Sequence, residues 1–234
     1  DSITDANRVD IDEGVGSCLF GYGYTILLAS EYLKKRKGEI EFINKGVSGN
    51  RIVDLYARIK DDIINFKPDV MSILIGVNDV WHELSVQNGV EAKKFELIYS
   101  MLIEEIKEAL PDIKIILLEP FVLKGSGTDM YYDTFRDEVQ KRSQAAQRVA
   151  EKYNLYFVPL QAEFDKASAD GDTTYWTTDG VHPTAAGHQL IKEELDKVEE
   201  EQEKVQDTVD KIEEELDKVE EEIEKINSEE TTEE

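Results

Sequence analysis

One short segment of the sequence places a carboxylate and an imidazole in the same loop. Asp179 stands three residues before His182, across a turn that contains Gly180 and is followed by Pro183. A carboxylate at this spacing can reach the ring Nδ1–H, fix the tautomer and stabilise the imidazolium that forms when Nε2 accepts a proton. The segment therefore predicts the acid and base of a serine hydrolase. The structural alternative is an aspartate that caps a helix beside a surface histidine.

The other histidines and the serines decide which nucleophile this base would serve. His82 and His188 have no carboxylate at the same spacing, and we interpret both as structural. The sequence contains no Gly-x-Ser-x-Gly elbow, which argues against an ordinary α/β-hydrolase. Ser48 comes near that pattern, with its second glycine one place early. Ser2, directly after Asp1, is the better candidate once the other segments are considered together.

Four sequence blocks, in the right order, resemble those of the SGNH (GDSL-like) hydrolase family. They are Asp1-Ser2-Ile3-Thr4-Asp5, Gly46 with its neighbours Asn44 to Gly49, Gly76-Val77-Asn78-Asp79, and Asp179-Gly180-Val181-His182-Pro183. The first block lacks only the glycine that precedes the Asp-Ser pair in the family. Because the blocks span nearly all of residues 1–188, the chain is identified as a member of this family. Within it, the chain is similar to bacterial acetylxylan esterases and other carbohydrate acetylesterases.

The resemblance implies a role for each residue of these blocks. Ser2, His182 and Asp179 would form the catalytic triad. The oxyanion hole would consist of the backbone N–H of Ser2, the N–H of Gly46 and the side-chain amide of Asn78. Such a mechanism needs no metal and no cofactor, and no Cys/His cluster in the sequence offers a metal site.

Two tryptophans lie next to the catalytic blocks and are candidate substrate-binding residues. Trp81 follows the Asn78 block, and Trp176 stands three residues before Asp179. Their rings would suit stacking on a sugar, although filling a hydrophobic wall is an equal alternative. No long apolar lid segment is evident, which favours a short acyl group such as acetyl. The resemblance thus implies deacetylation of carbohydrates, such as acetylated xylan or xylo-oligosaccharides, through an acyl-serine intermediate.

The elements that must position these residues alternate along the chain. Four apolar runs predict buried strands, at Ile40–Val47, Val70–Val77, Ile113–Val122 and Leu155–Leu160. Segments of helical period lie between them, at Tyr22–Lys37, Arg51–Phe66, Ala92–Leu110 and Phe135–Tyr153. This alternation predicts a three-layer α/β/α sandwich with a parallel sheet, flavodoxin-like in the family. In that fold a strand delivers the nucleophile, and none stands before Asp1, so we expect the first strand to be missing.

The last part of the sequence differs in composition from the rest. From residue 189 onward, 6 lysines stand against 21 acidic residues, and apolar residues recur with heptad spacing. We expect a hydrolase domain over residues 1–188, a long acidic heptad-repeat helix over 189–228 and a disordered acidic tail over 229–234. The helix is either a solvated extension or a coiled-coil arm that binds a second copy or another partner.

The overall composition excludes several classes of partner. A net charge of −25 argues against binding to nucleic acid or to an anionic membrane. No apolar run is long enough for a transmembrane helix and no signal peptide is visible, so we expect a cytoplasmic protein. The expected partner is a small-molecule or oligosaccharide ester.

Two other functions remain open from the sequence. The same chemistry would serve a broader GDSL lipase, lysophospholipase or thioesterase. Alternatively, without its first strand the chain would be a truncated, catalytically impaired protein whose coiled-coil arm mediates assembly.

Overall fold

A computed structural model describes residues 1–9 and 16–230 of the chain. Its sheet is parallel and has three strands in the order β1-β2-β3: Val70–Leu74, Lys114–Leu118 and Tyr156–Val158. Val70 pairs with Lys114, and Ile116 pairs with Tyr156. All three strands lie within predicted strands.

Helices precede, separate and follow the strands and complete the expected α/β fold. Their bounds are Ser2–Asp5 (α1), Tyr24–Lys35 (α2), Ile52–Ala57 (α3), Ile59–Asp62 (α4), Val77–Val86 (α5), Ala92–Ala109 (α6), Tyr132–Tyr153 (α7), Gln161–Ala167 (α8) and Ala185–Glu230 (α9). Short 3-10 turns lie at Gly16–Phe20, Ile64–Phe66, Asp129–Tyr131 and Thr173–Tyr175. The sequence predicts α6 and α7 closely, because their apolar residues recur at helical spacing. It predicts one helix over Arg51–Phe66, where the structure has two helices and a 3-10 turn, and it misses α1, α5 and α8.

A large part of the core lies on one face of the sheet, between the strands and helices α6 and α7. Alternate strand residues, among them Ile73, Ile115 and Leu117, are buried there against apolar side chains of α6 and α7. Leu74 and Leu118 point to the opposite face and are also buried. Because both faces are covered, the strands consist almost entirely of apolar residues.

The predicted strand Ile40–Val47 is wrong. This segment has no regular secondary structure, and Ile43 is 45% exposed. Within the described residues β1 pairs only with β2, and Val70 at the start of β1 is 55% exposed. An apolar run becomes a strand only when a neighbouring strand accepts its backbone hydrogen bonds, and no described strand does so here.

The chain divides into two compact units, residues 1–194 and 195–234. In the second unit the described residues are helical as far as Glu230, and Ile212, Leu216 and Val219 are about half exposed. The predicted coiled-coil arm stays a prediction, and most of the predicted tail, residues 231–234, lies outside the described residues. No helix in the described part of the chain is long and apolar enough to cross a membrane.

His188, near the start of α9, is a buried structural residue that supports α2. Its Nδ1 accepts a hydrogen bond from the N–H of Tyr24 (3.2 Å), the first residue of α2. The backbone of Gly23 lies so close to the ring that a Cβ at this glycine would stand 2.8 Å from its Cε1. Burial lowers the pKa of His188 to about 4, with a smaller contribution from His182. The folded protein therefore holds this ring in its neutral form.

Between pH 7 and pH 5, we expect the free energy of unfolding of the wild type to fall by about 2 kcal/mol more than that of His188→Asn. The pKa of this histidine is lowered in the folded state, so the unfolded state binds a proton here first as the pH falls. An asparagine keeps an acceptor near the position of Nδ1 and does not titrate. Urea unfolding of both proteins at both pH values measures the effect. A difference between the two proteins that does not change with pH would contradict this account.

Candidate active site

Ser2 lies in the first turn of a helix that begins where β1 ends. The backbone nitrogen of Asp1 donates a hydrogen bond to the carbonyl of Leu74, the last residue of β1 (3.2 Å). The Asp1 carboxylate caps the helix by accepting from the N–H of Ile3 (3.0 Å). The nucleophile candidate is therefore placed at the carboxyl end of a parallel strand, where sites of this fold class form.

The structure brings Ser2, His182 and Asp179 into one hydrogen-bonded chain. The hydroxyl of Ser2 is 3.0 Å from Nε2 of His182, and Nδ1 of His182 is 2.7 Å from Oδ2 of Asp179. Because a carboxylate can only accept, Nδ1 carries the proton and Nε2 is the acceptor for the serine hydroxyl. The arrangement can move a proton from serine to imidazole.

The Asp179 carboxylate is held in its charged form. Its Oδ1 accepts from the backbone N–H groups of Val181 (3.0 Å) and His182 (2.9 Å). Burial alone would raise the pKa of Asp179, but these bonds and the His182 ring together lower it to about 2. A carboxylate that stays ionised can stabilise an imidazolium across the whole neutral range.

The two further oxyanion candidates lie at the start of α5 and in the segment that precedes α3. Asn78 lies in the first turn of α5, is buried, and donates one amide hydrogen to the carbonyl of Asn50 (3.1 Å), which leaves a second hydrogen on Nδ2. The N–H of Gly46 donates to Oδ1 of Asn44 (2.8 Å). A Cβ at Gly46 would stand 2.7 Å from the carbonyl carbon of Thr4, so this loop lies directly against α1.

Asn44 joins three segments around the nucleophile. The residue is 7% exposed, and its Nδ2 donates to the carbonyls of Thr4 (2.7 Å) and Phe20 (2.9 Å). Its Oδ1 is the acceptor for Gly46. Each hydrogen of the amide group has an acceptor, so Asn44 fixes α1 to the loop that carries Gly46.

A second set of bonds ties the same loop to Asp5, the last residue of α1, and to Arg8 just beyond it. The carboxylate of Asp5 accepts from the hydroxyl (2.5 Å) and the N–H (2.9 Å) of Ser48. The guanidinium of Arg8 donates to the carbonyl of Gly46 (2.8 Å). Ser48, the rejected nucleophile candidate, thus has a structural position beside the site.

Asp79 connects the Asn78 block to α3. Both of its carboxylate oxygens lie within hydrogen-bond distance of the N–H of Ile52 (3.1 and 3.2 Å), at the start of α3. Its side chain is fully buried, and burial raises the pKa of Asp79 to about 7, although the bond from Ile52 opposes that rise. Asp79 thus ties the start of α5 to the start of α3.

The two tryptophans differ in their surroundings. The ring of Trp81 packs 5.8 Å from the ring of His182 and 5.8 Å from Phe135. Trp176 packs edge-on against Tyr175, at 5.2 Å. Among the described ring contacts, Trp81 is the tryptophan that reaches the triad. Across residues 1–9 and 16–230, no group of three or more His, Cys, Asp or Glu side chains is arranged to hold a metal ion.

Comparison with known families places the chain in one of them. Residues 1–190 match the GDSL-like Lipase/Acylhydrolase family, and the match covers Ser2, Gly46, Asn78 and the Asp179–His182 loop. The chain belongs to this family. It is accordingly a carboxylic ester hydrolase, with the α/β fold of the family.

Individual relatives cover most of the chain. An acetylxylan esterase from Geobacillus stearothermophilus is 35% identical over 200 residues, which is 82% of this chain and 87% of the relative. A solved GDSL-like protein from Parabacteroides merdae has 35% identity and a TM-score of 0.77, over 83% of this chain and 89% of that one.

Solved variants of an acetylxylan esterase from Geobacillus stearothermophilus are also similar. One has 33% identity and a TM-score of 0.72, over 83% of this chain and 89% of the other. The catalytic variants of that esterase replace a serine, an aspartate and a histidine with alanine, and the aspartate and histidine are three positions apart.

We expect Gly46→Ala to lower kcat/KM for ester hydrolysis by about 100-fold. The new methyl group would overlap α1, which must then move and take Ser2 out of line with His182. Overpacking of this kind also costs about 1–3 kcal/mol of stability. Hydrolysis of p-nitrophenyl acetate, measured well below the melting temperature, reports the effect on activity.

The control is Gly171→Ala, at a glycine with φ +91° where a new methyl group would meet no atom within 4 Å beyond its chain neighbours. This variant loses about 1–2 kcal/mol through backbone strain alone and keeps its activity. Wild-type kcat/KM in Gly46→Ala would show that the loop does not hold the serine in place.

Proposed function

We propose that the protein is a serine esterase that removes acetyl groups from carbohydrates, such as acetylated xylan or xylo-oligosaccharides. The observation that carries the proposal is the hydrogen-bonded chain from Ser2 through His182 to Asp179, with links of 3.0 and 2.7 Å. The similar acetylxylan esterase, whose catalytic variants concern the same three residue types, supports the assignment.

The first half of the proposed reaction acylates the serine. Ser2 Oγ attacks the ester carbonyl while Nε2 of His182 accepts the hydroxyl proton, and the charge on Asp179 stabilises the resulting imidazolium. The imidazolium then gives that proton to the departing sugar oxygen. The products of this half are the free sugar hydroxyl and an acyl-serine.

The tetrahedral intermediate requires donors for its oxyanion. The N–H of Ser2, in the first turn of α1, has no acceptor within the helix because of its position there. The second amide hydrogen of Asn78 is also available. The N–H of Gly46 would contribute by sharing its hydrogen between Asn44 and the oxyanion. One such donor is typically worth about 3–4 kcal/mol in the transition state.

The second half of the reaction regenerates the enzyme. Water attacks the acyl-serine carbonyl, and His182 accepts a proton from that water and returns it to Ser2 Oγ, which releases acetate. The same oxyanion donors serve both halves. Trp81, beside the His182 ring, is proposed to contact the sugar or its acetyl group.

We expect Ser2→Ala to reduce acetate release from acetylated xylo-oligosaccharides by on the order of 10⁴-fold or more. The variant lacks the attacking oxygen but keeps the cap on α1, which comes from Asp1. Ser30→Ala, at an exposed serine of α2 whose hydroxyl donates to the carbonyl of Ile26 (2.7 Å), is the matched control with unchanged rates. Equal rates for wild type and Ser2→Ala would remove Ser2 as the nucleophile.

We expect p-nitrophenyl acetate to be hydrolysed with a kcat/KM roughly tenfold or more above that of p-nitrophenyl octanoate. A site shaped for an acetyl group has no room for the longer chain, whereas a lipase or lysophospholipase gains binding energy from each added methylene. Steady-state kinetics along the acyl series gives the comparison. Faster hydrolysis of octanoate would exclude the deacetylase assignment and favour the lipase alternative.

A further inference from the structure

The loop that carries Asp179 and His182 is held by a second loop, residues 123–128, which we call the clamp loop. The N–H of Leu123 donates to the carbonyl of Gly180 (2.7 Å), and the N–H of Gly127 donates to the carbonyl of Asp179 (2.9 Å). Both bonds reach the backbone of the catalytic acid and its neighbour. They therefore fix the peptide units from which the Asp179 carboxylate extends toward His182.

Thr128 determines the shape of the clamp loop. Its side chain is 2% exposed, and its hydroxyl donates to the carbonyl of Leu123 (2.8 Å) while it accepts from the N–H of Gly125 (2.9 Å). The N–H of Thr128 also donates to the carbonyl of Gly125 (2.9 Å). One buried hydroxyl thus closes the clamp loop on itself. It sets the distance between the N–H groups of Leu123 and Gly127, which donate to the Asp179–Gly180 backbone.

The two loops touch so closely that neither accepts a side chain at the contact. A Cβ at Gly125 would stand 2.5 Å from the carbonyl carbon of Asp179 and from the nitrogen of Gly180. Gly180 has φ +99°, and a Cβ there would stand 2.5 Å from the carbonyl oxygen of Leu123 and from Oγ1 of Thr128. The Thr128 hydroxyl therefore lies directly beneath the turn that links the catalytic acid to the catalytic base.

We propose that Thr128 is a positioning residue for catalysis, which acts through the clamp loop to hold Asp179 in hydrogen-bonding geometry with His182. The inference rests on the proposed triad and adds a residue that does not touch substrate. Loss of the hydroxyl leaves the donor of Gly125 and the acceptor of Leu123 without this partner in a buried position. The clamp loop then relaxes, and the carboxylate turns away from the imidazole.

The test compares Thr128→Val, which keeps the shape of the side chain, with Thr128→Ser, which keeps the hydroxyl. We expect Thr128→Val to lower kcat by about 10- to 100-fold, with little change in KM, because the loss falls on the transition state. Thr128→Ser should restore kcat to near the wild-type value. Ser168→Ala is the matched control: Ser168 is a buried residue whose hydroxyl donates to the carbonyl of Phe164 (2.8 Å), away from both loops.

A purely structural role would give a different pattern. In that case Thr128→Val and Ser168→Ala would both lower the melting temperature and leave kcat unchanged, which would overturn the proposal. Equal loss of kcat in Thr128→Val and Thr128→Ser would also overturn it, since the hydroxyl would then be irrelevant.

A second readout does not depend on turnover. The proton between Nδ1 of His182 and Asp179 should give a far-downfield resonance in proton NMR of the wild type, weakened or lost in Thr128→Val and present in Thr128→Ser and Ser168→Ala. An unchanged resonance in Thr128→Val would overturn the proposal. A fully active Ser2→Ala variant would overturn the proposed function. The comparison of this resonance between wild type and Thr128→Val would still show whether Thr128 positions Asp179 against His182.

Discussion

The buried side-chain amide of Asn44 joins the helix that carries Ser2 to the segments around it. A helix of four residues cannot be stable alone, because its nucleation cost exceeds what a single turn regains. The helix that bears Ser2 is instead fixed from the side, by the bonds of Asn44 to Thr4, Phe20 and Gly46. Removing that amide would leave buried donors and acceptors unpaired, at about 1–3 kcal/mol for each group.

The proposed triad consists of two parts, each held by its own set of hydrogen bonds. The nucleophile is anchored through the Gly46 loop, and the acid and base are anchored through the clamp loop, which is distant from them along the chain. The parts meet at the 3.0 Å contact between Ser2 and His182. Backbone and side-chain hydrogen bonds hold each part in place.

The sequence predicts the parts of this site better than it predicts what holds them. The Asp179–His182 spacing and the four blocks predict the residues of the proposed triad, because the proposed chemistry requires these residue types. The strand prediction at Ile40–Val47 is wrong for a different reason. A strand requires a neighbouring strand as its hydrogen-bond partner, and local composition does not reveal whether one is present. The hydrophobic pattern of the sequence also does not predict the clamp loop, because Leu123 and Gly127 bind the Asp179–Gly180 backbone through their own backbone N–H groups. The glycines at 125 and 127 are the sequence feature that could indicate a close approach of two backbones at this loop.

Two buried groups described above respond to acid in opposite directions. The pKa of Asp79 is raised to about 7, so this carboxyl takes up a proton on folding at mildly acidic pH. The pKa of His188 is lowered to about 4, so this ring releases a proton on folding over much of the same range. The two exchanges nearly cancel between about pH 4 and 6.5. Over this range folding moves a proton from the ring of His188 to the carboxyl of Asp79. The opposing effects of these two groups on the pH dependence of stability therefore largely offset each other.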